Sequence, residues 1–362
     1  MRKTVLISAP QYYGIDIDIK EAFEALGFKA LLMNYRDKLT ILERIVKKVR
    51  IRLPFLKSIL DLILKAYLIK ENHEFISNVC KENPDLLFIV KGEHIFPTTL
   101  ETLKSMLLCP VVAYIWDDPF YADKNNFQDD YRKYNFKNGI PWYDFIFVFD
   151  TFYIEEIKRR GAKNVKYLPL ATNPRRYRKI SVSDQDKIKY GYDVCFIGAP
   201  FPNRIEVFES LRDYNLGVFG DNWTKYFMLR GKKTPSYYKG KATGEIVNKA
   251  YLCSKIILNI HYLHSIEGLN TRTFDIPACG AFEIVDYKKN LDIHFEIDKE
   301  IVAFKDINEL KGKIDYYLKN SNLRSVISEN GRKRILYEHT WVHRVKNVIA
   351  TIKESNNHAC SL

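Results

Sequence analysis

The fold is decided by residues 256–285, which read IILNIHYLHSIEGLNTRTFDIPACGAFEIV. Two apolar runs in this stretch, Ile256–His261 and Ala281–Val285, have the length and composition of buried strands. The segment between them is rich in Gly, Asn and Thr, which predicts a loop that leads into a short helix. Ligands bind where the strands of an open parallel sheet end, and phosphates bind at helix N-termini, so this loop is a candidate binding site.

The same loop and helix carry two carboxylates, Glu267 and Asp275, eight residues apart. Two interpretations remain open for them at this point. The loop could hold a diphosphate on its backbone N–H groups while the acids accept hydrogen bonds from sugar hydroxyls. Alternatively, the loop is a helix cap that a surface acid follows. The rest of the chain must decide between the two.

Length and composition limit the class of protein. The chain has 362 residues, of which 46% are hydrophobic and 14% aromatic, and these values exclude disorder and predict two domains. A net charge of +13 favours an anionic partner, such as a nucleotide, a membrane surface or nucleic acid. The six cysteines are scattered without a CxxC pair, which predicts reduced thiols in a cytoplasmic protein.

Targeting and membrane-spanning segments are not expected. The apolar run at the N-terminus is too short for a signal peptide. Nowhere does an uninterrupted apolar run reach the roughly 18 residues that a spanning helix needs.

Residues 1–173 predict an N-terminal doubly wound α/β domain, because strand and helix patterns alternate along them. No Gly-x-Gly-x-x-Gly motif follows the first strand, which argues against dinucleotide binding there. Polar clusters follow two of the later strands, where an α/β sheet places its chemistry. The first of these clusters is Lys91–His94, and the second is Asp117-Asp118. The adjacent acids could bind a metal, although the capping of a turn is the commoner use of such a pair.

Residues 38–76 interrupt this alternation as a basic helical insertion. Apolar residues recur there at helical spacing, basic residues lie between them, and Pro54 is expected to separate two helices. Two interpretations are open. The helices could lie on an anionic membrane surface through residues 38–70, or they could pack on the sheet and leave a solvated basic face.

A second α/β unit follows an irregular and charged connection at 170–190, and we assign residues 174–338 to it. Gly198 follows its first strand and permits close approach of the backbone. Arg204 opens the next helix, where it could clamp a diphosphate or lie at the surface. Residues 339–362 predict a C-terminal helix and tail that could return toward the N-terminal domain.

Several segments of the chain together resemble a known family. In order they are Asp193–Gly198 with Asn203-Arg204, Leu216–Trp223, Ser254–His261 with Asn270–Phe282, and Glu329–Gly331 with His339-Thr340 and Arg344. They resemble the glycosyltransferase domain of the CgeB-like, or spore-maturation-protein-like, glycosyltransferases. Lys91-Gly92 and Trp116–Pro119 are similar to the N-terminal half of that family. The resemblance is weakest over the first 80 residues.

This resemblance implies a GT-B fold, in which two Rossmann-like doubly wound domains face a central cleft. It implies a glycosyltransferase that takes a nucleotide-sugar, with UDP as the expected nucleotide. The acceptor would be a glycan, a lipid-linked glycan or a protein. Neither a metal nor another cofactor is expected, since enzymes of this fold generally need none and no His/Asp ligand set is visible.

The resemblance also implies roles for single residues. Glu267 and Asp275 fall on the Glu-x7-Glu pair of retaining GT-B enzymes, so Glu267 would hold the donor sugar and Asp275 the ribose. Asp275 departs from the family pattern because it is shorter than the usual Glu. The other implied donor-binding residues are Gly198, Arg204, Gly240, Lys241, Gly268, Leu269, Asn270 and Arg272.

Within that set, the amides of Gly268 to Asn270 would cradle the diphosphate with help from the helix dipole. Arg204 would reach the same diphosphate, and Arg272 would add a second contact. The segment at Gly240-Lys241 would border the base.

Candidate catalytic residues are Asp117, Glu267 and His261. If the enzyme inverts, it needs a general base, for which Asp117 is our choice. If it retains, as the acid pair favours, Asp117 orients the acceptor or the donor. The residues expected on the acceptor side are Tyr13, Lys91, His94 and Asp118.

Two other functions remain as alternatives. The first is an epimerase or hydrolase that acts on a nucleotide-sugar with the same fold. The second is a non-catalytic basic protein bound to a membrane or to nucleic acid. Nucleic acid is the less expected partner because no recognition motif is visible.

Overall fold

The computed structural model describes residues 2–34, 45–46, 48–49, 52–120 and 134–359. The chain divides into two compact units, Met1–Pro169 with Trp341–Leu362, and Leu170–Thr340. The second unit is therefore an insertion within the first, and the chain passes between the units twice. No helix in the described ranges is both long enough and apolar enough to span a membrane.

The first unit is built on a parallel sheet of six strands. The strands are β1 Thr4–Ala9, β2 Lys29–Asn34, β3 Leu86–Val90, β4 Val111–Ile115, β5 Phe145–Val148 and β6 Val165–Tyr167. Their order in the sheet is β2-β1-β3-β4-β5-β6. Every residue of β3, β4 and β5 is buried, as is typical of central parallel strands that are covered on both faces.

The second unit repeats this plan. Its strands are β7 Val194–Ile197, β8 Leu216–Phe219, β9 Tyr238–Gly240, β10 Ile256–Asn259, β11 Glu283–Asp286 and β12 Val302–Phe304. They form a parallel sheet in the order β12-β11-β10-β7-β8-β9. The predicted α/β class with two doubly wound domains is confirmed.

Helices connect the strands of both sheets. In chain order they are α1 Ile15–Ala25, α2 Lys57–Glu82, α3 Pro97–Met106, α4 Ile154–Arg159, α5 Asp184–Tyr190, α6 Pro202–Ser210, α7 Trp223–Met228, α8 Glu245–Cys253, α9 Arg272–Cys279, α10 Leu291–His294, α11 Ile307–Lys319, α12 Ser321–Glu338 and α13 Trp341–Ala359. Residues 134–139 are also helical.

The last helix, α13, belongs to the first unit, where it packs against α1. The Trp341 ring lies edge-on to Tyr114 of β4, with 6.2 Å between ring centroids. Arg344 donates from Nε to the carbonyl oxygen of Pro169 at 3.0 Å. These contacts tie the C-terminal helix to the end of the N-terminal segment.

The prediction that residues 170–190 are a connection was wrong for its second half, because α5 lies there. Ser183 caps this helix: its hydroxyl accepts a hydrogen bond from the Asp186 N–H at 3.1 Å, and Asp186 accepts one from the Ser183 N–H at 3.1 Å. This reciprocal capping stabilises a short charged helix that lacks a continuous apolar face.

Part of the predicted helical insertion at 38–76 lies outside the described residues, namely 38–44, 47, 50 and 51. Pro54 begins a 3-10 turn, Pro54–Leu56, and α2 starts directly after it. Because α2 continues to Glu82, the helical segment ends six residues later than predicted.

The position of α9 depends on its contact with α12. A Cβ atom added to Gly331 of α12 would lie only 2.3 Å from the carbonyl oxygen of Glu300, and 3.4 Å from Cβ of Pro277 in α9. No side chain fits at Gly331 unless the backbone moves. Gly312 of α11 contrasts with it, since a Cβ there would meet nothing within 4 Å.

We expect Gly331→Ala to lower the free energy of unfolding by about 1–3 kcal/mol, since it overpacks a close backbone contact. Gly312→Ala should instead raise it by about 0.5–1 kcal/mol, because alanine is the better residue in an open helical position. Urea unfolding of both variants measures these differences. A Gly331→Ala variant as stable as Gly312→Ala would contradict the close packing of α12.

Candidate functional site

The predicted donor-site residues converge at one edge of the second sheet. β7, β10 and β11 are neighbours in that sheet, and parallel strands end at the same edge. Arg204 follows β7, the segment from His261 to Arg272 follows β10, and Asp286 ends β11. The site described below lies entirely within the second unit.

Asn259 is the centre of a buried hydrogen-bond network at the end of β10, and it is fully buried. Its Nδ2 group donates to Glu283 at 2.8 Å, to Thr273 at 3.1 Å and to Asn270 at 3.2 Å. Its Oδ1 atom accepts from Asn270 at 2.9 Å and from Arg272 at 3.0 Å. A single amide therefore fixes the loop and the start of α9.

Glu283 is a buried acid at the start of β11. One carboxyl oxygen accepts from Asn259, and the other has no hydrogen-bond partner in the described chain. Burial raises the pKa of Glu283 well above that of a free glutamate, although Asn259 and Arg272 oppose the shift. Glu283 is thus poised to be neutral at a pH at which surface glutamates are charged.

Two arginines meet at the carbonyl oxygen of Ile260. Arg204 donates to it from Nε at 3.1 Å and from a terminal nitrogen at 2.8 Å, and Arg272 donates at 3.2 Å. Both guanidinium carbons lie over the Phe196 ring, at 5.2 and 5.6 Å from its centroid. Two positive charges are therefore held side by side where β7 and β10 end.

Arg204 is only 3% exposed, and it also donates to the Ala199 carbonyl oxygen at 2.9 Å. Its contacts connect the loop after β7 to the end of β10. Arg204 thus stabilises the framework of the site, whichever ligand the site binds.

The loop before α9 presents backbone donors. Gly268 and Leu269 are buried, yet the N–H groups of Gly268, Leu269 and Asn270 donate to no other group in the part of the chain that the structure describes. Three successive donors without a partner among the described residues are unusual where two of the three residues are buried, since buried backbone groups are nearly always paired. This loop therefore offers three hydrogen bonds to a ligand.

The two acids of the loop and helix have different surroundings. Asp275, in the first turn of α9, is 4% exposed and accepts a hydrogen bond from the Thr172 hydroxyl at 2.7 Å. Glu267 is more accessible and forms an ion pair with Lys289 at 3.1 Å. Asp275 is consequently held in place, whereas a surface lysine orients Glu267.

His261 lies two residues beyond the end of β10, and its side chain is fully buried. Its Nδ1 atom lies 2.6 Å from a carboxyl oxygen of Asp286, and its backbone N–H donates to the same oxygen at 2.7 Å. Burial lowers the pKa of His261, and Asp286 opposes this only in part. The neutral ring then donates from Nδ1 to Asp286, which leaves Nε2 as an acceptor without a partner among the described residues.

Gly198 directly follows β7 beside Arg204, whereas Gly240 and Lys241 lie at the end of the outermost strand β9. The carbonyl oxygen of Gly198 accepts from the Trp223 indole at 2.8 Å, and a Cβ on Gly220 would approach that oxygen to 2.1 Å. Gly240 ends β9 with φ of +106°, and Lys241 pairs with Asp221 at 2.8 Å. The backbone that closely approaches Gly198 is therefore that of Gly220 in the same protein.

The predicted acceptor-side residues lie in the first unit. Lys91 and Asp117 follow the adjacent strands β3 and β4 and form an ion pair at 3.1 Å, and Lys91 also pairs with Glu93 at 3.2 Å. Tyr13, which follows β1, is 69% exposed, and both Tyr13 and Lys91 have left-handed backbones with φ of +49° and +66°. Such strained positions are frequent at functional sites.

The two remaining acceptor-side candidates are less available. The side chain of His94 is buried, with 5% exposure. Asp118 accepts a hydrogen bond from the Phe120 N–H at 2.7 Å, so it caps its own turn as the alternative interpretation held. Among the described residues, no cluster of three or more His, Cys, Asp or Glu side chains could hold a metal ion.

Sequence reasoning missed Asn259, Glu283, Asp286 and Thr172 as site residues. A signal existed for the first two, because each is a lone polar residue in an otherwise apolar strand. A fully buried polar side chain needs partners, which makes such positions informative. Thr172 gave no signal, since it lies about a hundred positions from its partner Asp275.

Comparison with known proteins now adds to this geometry. Residues 204–350 match a family described as glycosyl transferase-like. The spore protein CgeB of Bacillus subtilis (strain 168) is 24% identical over 276 residues, which cover 70% of this chain and 78% of CgeB. These two matches make the chain similar to the CgeB-like glycosyltransferases.

Solved structures show the same fold as this chain. Sucrose-phosphate synthase from Thermosynechococcus elongatus superimposes with a TM-score of 0.67 at 11% identity, over 99% of this chain and 100% of the other. HepE from Anabaena, solved in complex with UDP-glucose, gives a TM-score of 0.65 at 9% identity, over 98% and 100%. The predicted GT-B fold is confirmed.

The buried acid at 283 makes stability depend on pH. The pKa of Glu283 is higher in the folded protein than in the unfolded chain. Its contribution to stability is therefore fully present at low pH and is lost as the pH rises through the pKa of the folded state. Glu283→Gln keeps the bond from Asn259 but cannot ionise. Between about pH 4 and pH 9, we therefore expect the free energy of unfolding of wild type to fall relative to that of Glu283→Gln. The expected fall is at least about 1.4 kcal/mol, which is the equivalent of one pKa unit.

Urea unfolding of wild type and of Glu283→Gln at a series of pH values measures this difference. A difference that stays constant across the series would show that Glu283 is not held neutral by burial.

Proposed function

We propose that this glycosyltransferase takes its sugar from a UDP-linked donor bound where β7, β10 and β11 end. The observation that carries this proposal is the loop Gly268–Asn270, with three N–H groups that donate to nothing else in the described chain. The loop leads into α9, whose N-terminal dipole favours an anion. The solved complex of HepE with UDP-glucose suggests UDP as the nucleotide.

Arg272 is the side chain best placed to meet the donor's diphosphate. It opens α9, is partly exposed, and donates to two neutral acceptors, Asn259 and Ile260. No ion pair within the described residues neutralises its charge. Arg204, which is more deeply buried, adds a second positive charge beside it.

The two acids, Asp275 and Glu267, bind the remaining parts of the donor. We assign the ribose hydroxyls to Asp275, which the Thr172 hydroxyl already orients. We assign the donor sugar to Glu267, which is partly exposed and is oriented by its ion pair with Lys289. His261 presents a neutral Nε2 acceptor behind this loop, and Gly240-Lys241 borders the base.

The proposed chemistry is metal-independent transfer with retention of configuration. The bond between the anomeric carbon and the diphosphate oxygen breaks, so negative charge builds on the leaving diphosphate and positive charge on the sugar. Fixed amides and guanidinium groups stabilise the first of these charges in the transition state. The Glu267 and Asp275 spacing, like that of retaining enzymes of this fold, supports retention.

The acceptor we propose is a glycan, a lipid-linked glycan or a protein. We assign Tyr13, Lys91 and Asp117 to the part of the site that contacts it. Asp117 is 58% exposed in its side chain and is paired with Lys91. In the retaining reaction it orients the acceptor. A cytoplasmic location follows from the use of a nucleotide-sugar, and it suits the five described cysteines, which are all free thiols.

Thermal-shift measurements test the donor. UDP and UDP-glucose should raise the melting temperature of wild type with concentration, since a ligand stabilises the state that binds it. Arg272→Ala should lower the affinity for UDP about tenfold to a hundredfold, which is the range expected for the loss of one charge-assisted hydrogen bond. The control is Arg212→Ala, which removes an exposed arginine paired with Glu209 on α6 and should leave the shift unchanged.

GDP-sugars serve as competitors in the same screen. If neither UDP nor any UDP-sugar stabilises the wild-type protein, the proposed donor is wrong. If UDP raises the melting temperature of Arg272→Ala as much as that of wild type, Arg272 does not bind the diphosphate.

The stereochemistry of transfer can be read from the product. With a UDP-α-sugar donor, we expect NMR of the product to show an α-linkage, because retention preserves the anomeric configuration. Asp117→Asn should then keep donor binding and lower turnover only partly. A β-linkage together with a complete loss of turnover in Asp117→Asn would identify an inverting enzyme with Asp117 as its base.

A further inference from the structure

Helix α2 of the first unit is apolar on two opposite sides over its first half. Its inner side holds Leu64 and Leu68, which are 1% and 4% exposed and pack against Phe96. On the outer side, Leu62 and Ile63 are 66% and 48% exposed. At 100° per residue the two sides face in nearly opposite directions.

The outer side carries several exposed apolar residues, which we call the outer stripe. It consists of Phe55, Ile59, Leu62, Ile63 and Ile69, with exposures of 77%, 58%, 66%, 48% and 41%. The steps from Ile59 onward are three, one and six residues, which at 100° per residue place these four side chains within an arc of roughly 120° on one side of the helix. A surface helix normally turns polar residues outward, and contiguous exposed apolar patches mark sites of interaction.

The outer stripe ends abruptly along the same helix. Beyond Ile69, the exposed positions of α2 are polar or charged, among them Lys70, His73, Glu74, Ser77 and Asn78. The inner side continues without a break through Phe75 and Val79. The apolar outer surface is therefore a local feature of residues 55–69 and not a property of the whole helix.

Positive charge surrounds the outer stripe in the sequence. Residues 38–70 contain nine basic and two acidic side chains, which supply more than half of the chain's net charge of +13. Of the basic residues, Lys48, Arg52, Lys65 and Lys70 are described and exposed. A partner of this surface must therefore accept apolar side chains and carry negative charge.

We propose that the outer stripe and its basic neighbours dock this protein on an anionic lipid bilayer. The apolar side chains enter the boundary between headgroups and acyl chains, while Arg52 and Lys65 contact lipid phosphates. A second copy of the chain would bring the same positive charge to the contact, and nucleic acid would leave the apolar row without partners. The helix lies in the plane of the surface.

Vesicle flotation tests this docking. Wild type should float with vesicles of phosphatidylcholine mixed with phosphatidylglycerol, and less with phosphatidylcholine alone. Added salt should weaken binding, since exposed charges are screened. Leu62→Ser with Ile63→Ser should lower partitioning into the mixed vesicles at least about tenfold, because two large apolar contacts are lost.

The matched control is Leu108→Ser with Ile188→Ser, which removes two apolar side chains that are 107% and 85% exposed elsewhere on the protein. This control should float like wild type. A third variant, Arg52→Glu with Lys65→Glu, should lose the preference for phosphatidylglycerol.

Three outcomes would overturn the proposal: wild type that floats with neither vesicle, a Leu62 and Ile63 variant that floats like wild type, or a dimer in analytical ultracentrifugation that this variant abolishes. The thermal shift with UDP, measured on each variant without lipid, reports correct folding separately. Loss of the shift in every protein, wild type included, would count against the UDP donor and not against the membrane surface.

Discussion

The candidate site depends on one amide, the side chain of Asn259, which has no access to solvent at the end of β10. A buried amide must satisfy its donors and acceptor inside the protein. Asn259 does so through Asn270, Arg272, Thr273 and Glu283, and these bonds set the loop before α9, the first residue of α9 and the start of β11. An aliphatic side chain of similar size would leave several buried polar groups without a hydrogen-bond partner. Each such group would lower the stability of the folded protein by about 1–3 kcal/mol.

Positive charge at this site is held by neutral partners. Arg272 is bonded to an amide oxygen and a carbonyl oxygen, and the Phe196 ring lies beneath the guanidinium groups of both Arg272 and Arg204. Carboxylates would have neutralised these charges, whereas carbonyl oxygens and an aromatic ring orient them and leave them able to attract an anion. The acids of the site are placed differently: burial raises the pKa of Glu283, and Asp275 is restrained by Thr172.

The sequence predicted the fold class and the edge of the sheet where the site lies, because apolar strands alternate with helices and their ends carry Gly, Asn and charged residues. Contacts distant in sequence could not be predicted. The meeting of Arg204 and Arg272 at Ile260 is a consequence of strand order, and helix α5 is stabilised by the Ser183 cap more than by an apolar face. On α2 the sequence indicated basic residues, but only the packing of the inner side shows that the outer side is also apolar.

The insertion of one unit into the other has a consequence for synthesis on the ribosome. The sheet of the first unit is complete once Tyr167 has emerged, but α13, which covers α1 and ties Arg344 to Pro169, is made only after the inserted unit. At about 5–20 residues per second, the inserted unit takes roughly 10–30 s to translate. Throughout that interval the nascent first unit exposes the surface of α1 and β4 that Trp341 and its helix later cover, so the chain needs protection from aggregation while the inserted unit is being made.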